Sequence, residues 1–354
     1  MLHRIAIVAS RIDIPGGQGV QAAALLRCLR ESGRDVIFVV INPRFPRGLS
    51  FLHAVPYART ILNQVLYLPG LVRLRHADVV HVFAASYWSY LLGPVPAMLV
   101  ARTLGKRVVL HYHSGEADHH LTGWGPLVHP WLRLAHKIVV PSDYLRQVFA
   151  RHGYQTRVIP NVVDTSSFRY RERVPLRPWL VSTRNLEPYY ALDNTIAAFA
   201  ILRERYPGAR LTIAGYGGEE ARLRRLAAVL SPDAVQFVGR VEPAAMPALL
   251  DEVDIFVNSS VVDNQPVSVL EAFAAGLPVV STGTGDLANM LRDGETGLIV
   301  PSRDPAAMAK AIISLFEDPD RAAMMARRAR REVEKYTWAQ VGTQWTAVYA
   351  GKPW

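Results

Sequence analysis

The chain has 354 residues, half of them hydrophobic, with a formal net charge of +10 and a single cysteine, Cys28. That length exceeds what one core usually holds, so two domains are expected. A lone cysteine excludes an internal disulfide and fits a reducing compartment, while the lack of a secretory leader and of any roughly 20-residue apolar run argues for a soluble or peripheral protein. The charge is uneven: residues 1–170 hold 19 Lys or Arg against 8 Asp or Glu, residues 171–354 hold 21 against 22. A basic N-terminal half suggests an anionic partner, whether nucleic acid, a phospholipid surface or a phosphorylated substrate. Arginine used for solubility is the plain alternative.

In chain order, Ile5–Ser10, Val36–Ile41, Val79–Phe83, Val108–His111, Lys137–Pro141 and Arg157–Pro160 read as short strands. Gly19–Ser32, Tyr90–Leu104 and Asp143–His152 read as helices between them. Strands apolar throughout, without polar alternation, are buried on both faces, which means a parallel sheet covered by helices. The run from Tyr57 to Arg75 is aromatic, apolar and basic: an ordinary helix with core-facing leucines, or a face for anionic lipid headgroups.

An Arg- and Pro-rich stretch, 168–178, reads as a linker. The pattern then restarts. Leu180–Thr183, Arg210–Ala214, Val235–Val238, Ile255–Asn258, Pro278–Ser281 and Gly297–Val300 read as strands. Leu192–Glu204, Glu219–Leu230, Met246–Asp251, Val267–Ala275 and Pro305–Phe316 read as helices. Two α/β domains so joined are expected to form a cleft at the C-terminal ends of their strands.

The chemistry concentrates in 263–280, DNQPVSVLEAFAAGLPVV. The strand before it emerges into a loop carrying Asp263, Asn264, Gln265 and Pro266; Val267 and Ser268 open a helix, and Glu271 lies about one turn in. Amides at a helix start are unpaired and carry the positive end of its dipole, so they suit phosphate. Two carboxylates beside a phosphate make sense only against neutral hydroxyls. A nucleotide sugar has these on both sides of its diphosphate, as ribose and as hexose. A helix-capping acid is the plain reading of Glu271. Near the N-terminus, Gly16, Gly17 and Gly19 follow the first strand. They also satisfy G-x-G-x-x-A, but that strand ends too early and the second lacks a ribose-binding acid. After the fourth strand come His111, His113, Glu116, Asp118, His119 and His120. Their spacing matches no common zinc signature, so no metal is expected.

Taken together these segments resemble the GT-B glycosyltransferases of retaining family 4. The acid, seven residues and a glutamate are Asp263 to Glu271, followed by Glu-Ala-x-Ala-x-Gly-x-Pro-Val-Val as Glu271 to Val280. Ile159–Asp164 resembles the family's Pro-Asn-Gly-Val-Asp, with Val162 in place of Gly. Gly215 and Gly217 match its Gly-x-Gly strand end, and Val238, Gly239 and Val241 its base-binding turn. Gly294–Pro301 with Asp304 match its closing segment, and Tyr336-Thr-Trp338 the start of a last helix that packs back on the N-domain.

The resemblance implies an α/β GT-B protein: an N-terminal Rossmann-like acceptor domain (1–167), the linker (168–178), a C-terminal Rossmann-like donor domain (179–335) and a C-terminal helix (336–354). It implies transfer of a hexose from a UDP- or GDP-sugar to a glycan or lipid-linked acceptor, with retention. Neither metal nor cofactor is called for. Asp263 would contact the transferred sugar, Glu271 the ribose and Arg184 the diphosphate. His113 would lie near the donor sugar, Gly16, Gly17 and Gly19 would close on the donor, and Glu116 and Asp118 would contact the acceptor, or simply face solvent.

Three departures stand out: Asp263 where Glu is usual, Tyr189 and Tyr190 where a phosphate-binding Lys is usual, and Asn289 in place of a Glu. The missing ammonium keeps a second reading open, a catalytically silent scaffold binding nucleotide or a partner glycosyltransferase. A nucleic-acid partner is not expected, because no such motif is present. The expected address is the cytoplasm, at the inner face of the membrane, in envelope polysaccharide or glycolipid synthesis.

Overall fold

The computed structural model describes residues 4–13 and 17–352. They divide into two units, Met1–Pro160 with Val341–Trp354, and Asn161–Gln340.

In the first unit the elements run β1 (Ile5–Ala9), α1 (Gly17–Glu31), β2 (Val36–Val40), α2 (Pro56–Tyr67), β3 (Val79–Ala84), α3 (Tyr87–Leu92), α4 (Pro94–Thr103), β4 (Arg107–Tyr112), α5 (Ala117–Gly123), α6 (Gly125–Leu132), β5 (Lys137–Val140), α7 (Asp143–Arg151) and β6 (Arg157–Val158). In the second they run β7 (Trp179–Ser182), α8 (Leu192–Arg205), β8 (Arg210–Ala214), α9 (Glu220–Leu230), β9 (Val235–Gly239), α10 (Met246–Glu252), β10 (Ile255–Asn258), α11 (Val267–Ala275), β11 (Val279–Thr282), α12 (Leu287–Met290), β12 (Leu298–Val300), α13 (Pro305–Glu317) and α14 (Pro319–Glu332), and α15 (Trp338–Tyr349) returns the chain to the first.

Each unit holds one six-stranded parallel sheet, ordered β2-β1-β3-β4-β5-β6 and β12-β11-β10-β7-β8-β9. The parallel, doubly covered sheet expected from unbroken apolar strands is what forms: β1, β3 and β10 are buried at every position. In both sheets the chain reverses direction at the first strand, where C-terminal strand ends place loops suited to ligands.

One expected helix, Tyr90–Leu104, is two. Gly93 ends α3 and Pro94 opens α4, because proline cannot donate the amide a continuous helix requires. Gly93 also sits where an added Cβ would lie 2.9 Å from the Ile41 side chain.

The stretch 168–178 does not behave as a free linker. Arg171 and Arg177 both pair with the buried Asp254, at 2.9 and 2.8 Å, and buried Arg173 donates to the carbonyls of Leu250, Val253 and Ala275. Arginine, whose five N–H groups form a rigid fork, can satisfy several such acceptors at once. Residues 161–163 also belong to the second unit: Asn161 holds Gln265, and the Val163 amide donates to Tyr336 O at 3.0 Å.

α15 packs on the first sheet through Trp345 and Tyr349. Tyr349 Oη meets His81 Nδ1 at 2.8 Å, His81 Nε2 meets His111 Nδ1 at 3.2 Å, and Trp345 lies against both rings.

A candidate nucleotide-sugar site

In the second unit, β7 leads into a loop whose last turn, Pro188–Tyr190, ends on Ala191 in the left-handed region at φ 46°. Ser259 Oγ fixes this turn by donating to the Tyr190 and Ala191 carbonyls. The loop projects Arg184, buried to 9% exposure, toward the start of α11. Its Nη2 pairs with Asp263 Oδ2 at 2.6 Å, its Nη1 donates to Ser268 Oγ at 3.1 Å, and its guanidinium lies 4.1 Å above the Tyr190 ring. The second carboxylate oxygen of Asp263 accepts from the Asn264 amide at 2.9 Å.

The first acid is therefore neutralised by the arginine rather than presented as a bare charge. The pair is compact and locally balanced in charge, with the guanidinium and the positive end of the α11 dipole side by side. No side chain caps that helix and no acid lies in its first turn. The Val267 and Ser268 amides are the ones it offers.

Glu271 lies one turn further on. Burial lifts its carboxyl from 4.5 to about 7, with Arg184 pulling it partly back. No hydrogen bond to it is found among the described residues. Beneath Arg184, the hydroxyls of Ser182 and Thr183 are buried without partners, as is Arg184 Nε.

Backbone fit holds these loops together. A Cβ on Gly215 would come 2.2 Å from Arg184 O, and one on Gly217 would come 2.3 Å from Leu186 O. The Leu186 amide donates to Tyr216 O at 2.9 Å and Gly215 donates to Gly239 O at 2.8 Å. Gly215 and Gly217 thus seat the loop that carries Arg184. Gly239, at φ +70°, turns the chain after β9 with Val238 exposed and Val241 half-buried. Gly285, which the sequence reading passed over, does for Asp263 what Gly215 does for Arg184: its φ is +59° and a Cβ there would sit 2.0 Å from Asp263 O. The signal was present in Thr-Gly-Thr-Gly-Asp at 282–286. The Gln265 side chain and carbonyl are taken up by Asn161, at 2.6 and 2.9 Å, so Gln265 anchors the loop and Pro266 starts the helix. Asn264 is buried and its carbonyl accepts from the Asp286 amide. Asn289 bonds Asp286 at 2.9 Å.

In the first unit, Gly17 opens α1 with free space where a Cβ would be, and Gly19 is buried; Gly16 lies outside the described residues. His113 follows β4, with its ring against Phe83 and His111. Burial holds His113 at about 3 and His111 well below the usual imidazole value, so both are neutral near pH 7. Glu116 and Asp118 are exposed: Tyr87 Oη lies 3.5 Å from Glu116, and Arg151 pairs with Asp118 at 3.1 Å. Neither lines the pocket of about 460 Å³ at the ends of β1, β2 and β3, which is walled by Arg11, Gln18, Asn42, Arg59 and Asn63. Among the described residues no group of three His, Cys, Asp or Glu could hold a metal ion, and no helix is long and apolar enough to cross a membrane.

Two such parallel-sheet units, with an arginine and a glutamate at the start of α11, define a GT-B glycosyltransferase. The chain belongs to glycosyltransferase family 4: the family model described as Glycosyltransferase Family 4 matches residues 15–167, and that described as Glycosyl transferases group 1 matches residues 169–332. The chain is 32% identical to glycogen synthase of Mycobacterium tuberculosis, over 79% of this chain and 70% of that one. It is 26% identical to the phosphatidyl-myo-inositol mannosyltransferase of Mycolicibacterium smegmatis, over 95% and 90%. Among solved structures, Anabaena HepE in complex with UDP and glucose superposes with a TM-score of 0.76 at 16% identity, covering 99% of this chain and 100% of that one.

Proposed function

We propose that the protein transfers a hexose from a UDP- or GDP-sugar to a glycan or lipid-linked acceptor, with retention of configuration and without a metal ion. The observation that carries this reading is the uncapped start of α11 beside the Arg184–Asp263 pair, with the unpartnered Glu271 one turn on. The Val267 and Ser268 amides and Arg184 take the diphosphate. Glu271 accepts from the ribose hydroxyls, and Asp263, already held by Arg184, faces the hexose. In a front-side displacement the bond from the anomeric carbon to the diphosphate oxygen breaks as the acceptor oxygen forms its own bond on the same face. The departing diphosphate takes the acceptor proton, and its charge is met by Arg184 and the helix dipole.

Tyr190 stands where an ammonium is usual, and it supports the guanidinium from below instead of adding charge. The neutral His113 is a hydrogen-bonding group on the acceptor side rather than a proton acceptor. Relatives named for glycolipid and glycogen synthesis support a glycan or lipid-linked acceptor, and the basic N-terminal half supports work at the inner face of an anionic membrane.

The test is calorimetric titration of UDP, GDP, ADP and dTDP with EDTA present, on the wild type and on Glu271→Ala. One nucleotide is expected to bind, and to weaken at least tenfold in the variant. Failure of all four rules out the donor site. Tight binding with no sugar released from the matching nucleotide sugars, with lipid or glycan acceptors present, assigns a silent nucleotide-binding scaffold.

A further inference from the structure

Between Asp35 and Asp78 the chain contains no acid, yet it contains Arg44, Arg47, Arg59, Arg73 and Arg75. The same segment carries most of the apolar surface that the first unit leaves in solvent. Along α2 and the 3-10 helix that continues it, Leu68–His76, the side chains of Tyr57, Ile61, Val65, Leu68 and Val72 are exposed by 85, 66, 60, 47 and 55%. Tyr57, Ile61, Val65 and Leu68, spaced four, four and three residues apart, share one face of α2 and its C-terminal end, and Val72 adds a further exposed apolar side chain on the 3-10 helix. The opposite side of the same segment is occupied: Tyr67, Leu71 and Leu74 are buried in the core, with Tyr67 Oη donating to Gly93 O at 2.8 Å. Thr60, Asn63 and Gln64 line the pocket of the first unit. The apolar stripe is therefore surplus to folding, and contiguous exposed apolar surface marks a place of contact.

The geometry points to this stripe as a docking surface for an anionic lipid bilayer. Tyr57, Ile61, Val65, Leu68 and Val72 enter the interface, and Arg73 and Arg75 meet the phosphates. Charge selects this occupant. A second copy of the chain, applying the same face to itself, would bring arginine against arginine with no acid in the segment to pair them. A bilayer with acidic headgroups supplies the missing negative charge over the whole face, and a helix with an apolar side and a basic flank lies in that plane. The pocket bordered by Arg59, Thr60 and Asn63 then opens beside the lipid surface, so a headgroup acceptor reaches it without leaving the membrane. The inference agrees with a lipid-linked acceptor but does not rest on the donor site.

The test is co-sedimentation of the full chain with vesicles of phosphatidylcholine alone, or of phosphatidylcholine and phosphatidylglycerol in equal parts. Partition onto the mixed vesicles is expected, weak on neutral ones and falling with added salt. Arg73→Gln with Arg75→Gln is expected to lower that partition roughly thirtyfold. Ile61→Ser with Val65→Ser is expected to lower it at least tenfold, with the thermal midpoint and nucleotide titration of each variant unchanged. Equal binding to both vesicle types, or variants that partition like wild type, would overturn the proposal. So would a concentration-dependent dimer lost in Ile61→Ser with Val65→Ser when no vesicle is bound, which would assign the face to a second copy. Wild-type protein that binds nucleotide but no vesicle removes this surface and leaves the transferase reading standing; vesicle binding without nucleotide binding does the reverse.

Discussion

Glu271 sits in the wrong medium for its charge. Its carboxyl is raised to about 7 in the folded chain and titrates near 4.5 when unfolded, so the folded state binds the proton more tightly. The sign follows: ionisation costs nothing below pH 4.5, and the cost grows through the interval and is complete above 7, at up to about 3 kcal/mol. Glu271→Gln removes that cost. Denaturant unfolding at pH 8 is expected to show the variant more stable by up to that amount, with no gain at pH 4.5, while its nucleotide affinity falls tenfold or more. A variant no more stable at pH 8 than at pH 4.5, relative to wild type, would show that burial is not what strains this carboxylate. The acid itself was legible in sequence, from its place eight residues after Asp263 and its neighbours in Glu-Ala-x-Ala-x-Gly. Its strained ionisation was not, because burial depends on how β7, β10 and α11 pack. The Arg184–Asp263 bridge was likewise hidden: 79 residues separate the two, and nothing in either segment announces the other.

At the scale of elements, the hold of α15 on the first sheet runs through histidines. His81 is held at about 3 and His111 well below 6.5, in each case chiefly by burial. A histidine whose folded value is depressed adds stability that is complete above its unfolded value near 6.5 and is lost as the pH falls toward the folded value. Between pH 6.5 and 5 His81 should cost about 2 kcal/mol, and His111 acts in the same direction. Trp345 fluorescence, followed in denaturant at pH 7, 6 and 5, is expected to report progressive loosening of α15, and His81→Phe is expected to flatten that dependence. An α15 equally stable at pH 5 and 7 would contradict it. The element pattern was largely legible because unbroken β-branched runs admit few alternatives to buried parallel strands. The break at Gly93-Pro94 was written in the sequence as well, but the apolar periodicity on both sides concealed it. The arginine clamp of 171–177 was not legible, since Arg and Pro without periodicity look the same whether they float or grip carbonyls.

At the scale of the whole molecule, the two sheets have separate cores, and a ligand held by one should stabilise that one. Nucleotide at a hundred times its dissociation constant is expected to raise the stability of the second unit by about 2.7 kcal/mol. Hydrogen exchange with and without nucleotide should show added protection in β7, β8, β10 and α11, and little in β1, β3 and β4. Protection gained equally throughout would mean that the two cores unfold as one.

The close backbone approaches at Gly215 and Gly285 explain how side chains around the proposed phosphate site can change without moving the loops that carry them. The two loops are located by carbonyl-to-Cα fit, not by the residues they display, much as a workshop fixture keeps its datum points while the tools clamped to it are exchanged. Shortening Glu to Asp or trading Lys for Tyr alters the tool and leaves the datum alone. Donor preference in this scaffold should therefore be redesigned by exchanging side chains at 189, 190 and 263 while the glycines behind them stay fixed.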